Sequence, residues 1–70
     1  MSTAATNRER IRCAASMLAT LPDVAALSRE ERLTDALANL RHWARAHRID
    51  YSRCDALALS HFNAETERPA

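Results

Sequence analysis

Apolar residues fall along this chain at intervals of three and four in three separate stretches, the spacing that lays one stripe along an α-helix. The first stretch holds Ile11, Ala14, Ala15, Leu18 and Leu21. Thr6 and Glu9 stand before it at the spacing with which a hydroxyl and a carboxylate cap a helix start reciprocally. Pro22 closes it, because the residue before a proline is pushed out of the α region. These signals predict a helix over about 7–20.

After a Pro22–Leu27 connector with room for one helical turn, Ser28-Arg29-Glu30-Glu31 repeats the capping spacing. Glu30 and Glu31 also place negative charge at the positive end of the helix dipole. Leu33, Leu37, Leu40, Ala44 and His47 then form one stripe, widened by Ala36 and Trp43. Arg41, Arg45 and Arg48 gather at the far end, where positive charge is favourable. A helix over about 29–47 follows.

Its stop requires a left-handed residue followed by an apolar one that folds back on the last turn. Ile49 can be that apolar residue, which puts Arg48 where glycine is usual, at a cost of about 1 kcal/mol. Asp50 next caps a third helix over about 51–65, with Ser52 and Asp55 as an alternative box two residues on. Tyr51, Cys54, Leu57, Ala58, His61 and Phe62 line its predicted inner face. Segments 1–6 and 66–70 read as flexible tails around a single helical domain, 7–65. Three such segments bury their stripes only against each other. The predicted fold is all-α, a small three-helix bundle with a long central helix, open to completion by homodimerisation.

Composition sharpens this picture. The chain has 70 residues and no glycine, which disfavours the tight turns of β-rich folds. A core of this size supplies only about 3–5 kcal/mol. Two cysteines are too few for a disulfide scaffold, so association is the remaining support and the thiols are expected to pack as small apolar groups. A net charge of +1 creates no whole-protein field toward nucleic acid or membrane. No stretch has the length of a membrane span, and 1–6 lacks the features of a signal peptide. A cytoplasmic protein is expected.

Candidate chemistry is sparse. His42 and His47 are five apart, whereas paired metal ligands on a helix stand four apart. No nucleophile has a base at a recognisable spacing, and no glycine loop can cradle phosphate, so no catalytic residue, metal or cofactor is assigned. Glu31 to Asp50 faintly resembles one helix and turn of the MazG-type all-α nucleotide pyrophosphohydrolases. The paired carboxylates with which that family holds magnesium are not matched, since Glu31 and Asp35 are four apart, and the resemblance implies at most a degenerate relative. Ala44, Ile49, Cys54 and Leu57 lie at offsets used by a helix-turn-helix, which would offer Ser52 and Arg53 to a DNA groove. Packing of two helices about a capped turn gives the same pattern.

Trp43 beside arginines is the remaining feature, because Trp and Arg are the residues most enriched at interface hot spots. It can fill the small core or straddle its rim. Arg41, His42, Trp43, Arg45 and Arg48 are therefore the candidate partner-binding residues.

The run Leu33-Thr34-Asp35-Ala36-Leu37-Ala38-Asn39-Leu40-Arg41-His42-Trp43-Ala44, then Ile49-Asp50-Tyr51, then Ser60-His61-Phe62-Asn63-Ala64-Glu65, resembles a family of short helical proteins of phages and integrated mobile elements. Its members read LTDLLxDLxHWxxxHGxDF…HYxAE. The resemblance covers about half the chain and departs at Arg48, where the family has glycine. It implies a bacterial setting under phage or plasmid influence and carries no catalytic residues. Small proteins from that setting often bind a host protein or complex, some of them blocking host defence as anti-CRISPR proteins do. The expected function is a non-enzymatic inhibitor of that kind, with a DNA-binding regulator as the alternative.

Overall fold

The computed structural model describes residues 6–67, and they are all-α. Helix α1 spans Asn7–Leu18, a short 3-10 turn spans Val24–Ala26, α2 spans Arg29–Ala46 and α3 spans Tyr51–Glu67. The three α-helices follow in the order the apolar spacing predicts, with α2 the longest. Residues 1–5 and 68–70, most of the two expected tails, lie outside the described residues.

Both reciprocal caps form. The Thr6 N–H donates to Glu9 Oε1 at 2.8 Å and the Glu9 N–H to Thr6 Oγ1 at 3.1 Å. Ser28 and Glu31 repeat the arrangement at 2.8 and 3.1 Å. Each carboxylate is held below the usual range, first by the backbone N–H of its capping partner and then by the hydroxyl. At α3 the cap is Asp50, whose Oδ1 accepts from the Arg53 N–H at 3.1 Å; the Ser52–Asp55 alternative is not used.

Two helix ends differ from expectation. α1 stops at Leu18 and unwinds through tighter turns, with the Thr20 N–H donating to the Met17 carbonyl and the Leu21 N–H to that of Leu18. The chain then reverses at Asp23, left-handed at φ 54. α3 instead runs on through Thr66, expected in the tail, whose hydroxyl donates back to the Phe62 carbonyl at 2.9 Å.

The stop of α2 is as read from the sequence. Arg48 is left-handed at φ 56. The Ile49 N–H donates to the Ala44 carbonyl at 2.8 Å and the Arg48 N–H to the Arg45 carbonyl at 3.2 Å, the two bonds of a Schellman motif.

The small all-α fold of three helices is as expected, and the burial of the stripe residues is what differs. The chain forms two compact units, Met1–Asn39 and Leu40–Ala70. Among the described residues the buried apolar set is Leu21 in the first unit and Ala44 in the second. The stripe residues Leu33, Leu37 and Leu40 remain 54, 40 and 42% exposed. Ile11 on α1 and Leu57 and Phe62 on α3 are likewise open, as are His47, His61 and both thiols, Cys13 and Cys54. The physical reason is that neither unit holds more than two α-helical segments. A helix with one neighbour hides a single line of contact, whereas a stripe of 100° or more needs two neighbours. Small residues such as Ala44 disappear along that line, and longer side chains on either side of it do not.

Replacing Arg48 with glycine removes the steric cost of φ 56 and is expected to stabilise the chain by about 1 kcal/mol, read as a rise of several degrees in thermal midpoint. The caps give a second expectation. A carboxylate with a lowered folded pKa contributes stability above its unfolded value of about 4.3, and that contribution is lost as pH falls further. Glu9→Gln/Glu31→Gln should therefore be less stable than the parent at neutral pH and lose less on acidification, the two melting curves converging in acid.

Candidate functional site: an aromatic and arginine surface at the end of α2

Between Asp35 and Asp50 the sequence has three arginines and no carboxylate. That stretch is the C-terminal part of α2 and its turn, most of it in the second compact unit. The negative end of the helix dipole favours the positive charges locally. Their concentration leaves this end of α2 cationic on a chain that is otherwise near neutral.

Two side-chain pairs shape the surface. The Trp43 ring packs against the His47 ring, centroids 4.5 Å apart and planes tilted by 40°. The Arg41 guanidinium lies over the Tyr51 ring, 4.4 Å from its centroid. The first pair is four residues apart on one helix face. The second crosses the turn and exists because the Ile49–Ala44 bond brings the start of α3 back beside α2. Trp43 nonetheless stays 57% exposed, so it does not fill the core.

Helical geometry, at about 100° per residue, sets the rest. Trp43 lies about 60° to one side of Leu40 and Arg41 about 100° to the other, so an apolar strip runs between an aromatic edge and a basic edge. Arg45, four residues beyond Arg41, extends the basic edge, and Arg48 projects from the turn itself. His42 falls about 200° from Leu40, on the far side of α2, and is not brought together with the two pairs. Ser52 and Arg53 are exposed on the first turn of α3, where the Arg53 N–H is bonded to the Asp50 carboxylate.

Sequence reasoning placed Trp43 and the arginines but not their partners. The spacing of His47 from Trp43 carried that contact. Nothing in the spacing of Tyr51 from Arg41 did, since it depends on the path of the turn.

The Glu31 carboxylate is committed to its cap. Among the described residues no group of three or more His, Cys, Asp or Glu side chains could hold a metal ion. No described helix is long and apolar enough to cross a membrane. The first unit has an open groove of about 360 Å³ between its connector, at Leu21, Asp23 and Leu27, and α2 at Asp35 and Asn39.

The Arg41–Tyr51 contact should be measurable. A double-mutant cycle with Arg41→Met and Tyr51→Leu, followed by denaturant unfolding, is expected to give a coupling of about 0.5–1 kcal/mol, the range for exposed cation–π pairs. Set against protein-family models, curated proteins and solved structures, the chain matches none.

Proposed function

We propose that the chain is a non-enzymatic interaction protein that docks the C-terminal end of α2 onto another protein. Arg41, Trp43, Arg45 and Arg48 are its contact residues, and His42 serves only partners that reach round the helix. The observation that carries this reading is Trp43, held at a fixed angle by His47 with more than half its surface open. An indole offers about 150–250 Å². Covering the open part stabilises a complex by roughly 2–3 kcal/mol at 25 cal/mol per Å², the size of an interface hot spot. Arginines beside it call for a partner with carboxylates around an apolar depression. On the resemblance to phage and mobile-element proteins, that partner is a component of a host defence complex, which docking would block.

A protein partner is favoured over DNA by the start of α3. There the Asp50 and Asp55 carboxylates flank Ser52 and Arg53, a mixed charge that phosphates disfavour.

Capture from a bacterial host lysate on the tagged full chain tests this. The expected result is one stoichiometric protein, bound at least about 30-fold more weakly by Trp43→Ala and lost with Arg41→Glu/Arg48→Glu. Recovery of the chain alone, or undiminished capture by both variants with helicity intact, overturns the proposal. Binding to DNA that falls steeply with salt would favour the regulator instead.

A further inference from the structure

We propose that the groove of the first compact unit is a docking site for an arginine side chain, carried by an extended segment of a partner protein and held between Asp23 and Asp35. Every residue that lines the groove falls within Met1–Asn39, so the site is complete inside one unit. Its walls follow from local structure. Left-handed Asp23 reverses the chain after α1, and the Arg32 Nε donates to the Leu27 carbonyl at 3.1 Å, which ties the end of the connector to α2. On α2, Asp35, Ala38 and Asn39 stand three and four residues apart on one face, the face that lines the groove.

The lining is apolar with charge of one sign. Buried Leu21, with Pro22, Leu27 and Ala38, makes the apolar part. Asp23 brings a carboxylate from the connector and Asp35 one from α2, with the Asn39 amide one turn further on. No arginine or histidine lines the groove to neutralise them. Asp23 makes no side-chain bond to the 3-10 turn that it precedes, so its carboxylate is not spent on a cap.

Such a lining fits a long amphipathic cation, whose methylene stem rests on apolar residues while its head stays among the carboxylates. A guanidinium suits it better than an ammonium. Its planar fork of donors reaches two carboxylates and an amide oxygen together, where an ammonium acts as a point charge. A divalent cation is a poor occupant, since calcium takes about six oxygens or more, and among the described residues no group of three or more His, Cys, Asp or Glu could hold a metal. At about 360 Å³ the groove is at the small end of ligand sites, and it is open where such sites enclose most of their ligand. An occupant whose backbone continues past the groove meets that shape. Trp43 and its arginines lie in the other unit and call for the opposite charge, so this site goes beyond the proposed function.

Titration of the isotope-labelled full chain with a blocked pentapeptide, one arginine among alanines, tests this by amide NMR shifts. Saturable binding with a Kd of roughly millimolar is expected, with the shifts confined to residues 21–27 and 35–39. The same peptide with citrulline keeps the shape, loses the charge and should bind at least about 3-fold more weakly. Asp23→Asn and Asp35→Asn should each weaken binding by about 2–5-fold, and Asp35→Glu should retain it. Asparagine tolerates the left-handed region at position 23, and circular dichroism checks that the helices persist. Ala38→Leu fills the groove without altering a charge and should abolish the local shifts. Equal binding of arginine amide alone would make this a small-ligand site and overturn the docking of a segment. An equal response to the citrulline peptide, or shifts spread over acidic residues throughout the chain, overturns the site. None of these readouts uses capture from a lysate, so their failure is distinct from failure of the α2 surface to find its partner.

Discussion

The 2.8 Å bond from the Ile49 N–H to the Ala44 carbonyl organises the second half of this molecule. It ends α2, forces Arg48 into the left-handed region and turns the chain so that Asp50 stands ready to cap α3. With α3 started there, Tyr51 falls beneath Arg41 and Ala44 is enclosed. The larger apolar side chains around it, Leu40, Trp43 and Leu57, remain open. Segment order here depends on how helices end more than on how their sides pack.

Such a design is economical and marginal. Helices of 12 to 18 residues are poorly stable alone in water, since nucleation costs more than the first bonds return. Reciprocal caps at Thr6 and Ser28 satisfy amide groups that would otherwise be orphaned, each contributing about 0.5–2 kcal/mol. In most domains a shared core supplies the larger share. Here Leu33, Leu37 and Leu40 on α2 and Leu57 and Phe62 on α3 stay open on the side faces. The same surface that weakens the isolated chain is what a partner can use.

Features set by neighbours along the chain are legible in the sequence. The capping pairs, the helix order and the left-handed Arg48 each depend on residues within about five positions of one another. The left-handed Asp23 was not legible, because Pro22 had already accounted for the end of α1. Burial was misread for a different reason. The spacing of Leu33, Leu37 and Leu40 says that one face of α2 is apolar, and it does not say that the chain owns enough helix to cover that face. Trp43 was legible as an interface residue and as a core residue alike. Only the two-helix limit of its unit separates these, by leaving the indole open. Arg41 over Tyr51 lay beyond reach because it joins residues across a turn whose path depends on φ at Arg48.

Arg48 itself leads to a last consequence. Its backbone conformation is one that glycine adopts freely, so foldability alone favours glycine there. An arginine at such a point gives up backbone ease for a guanidinium held at the turn. Tolerance to mutation across this protein should then be uneven. Variation that relaxes the turn makes a sturdier molecule with a poorer surface.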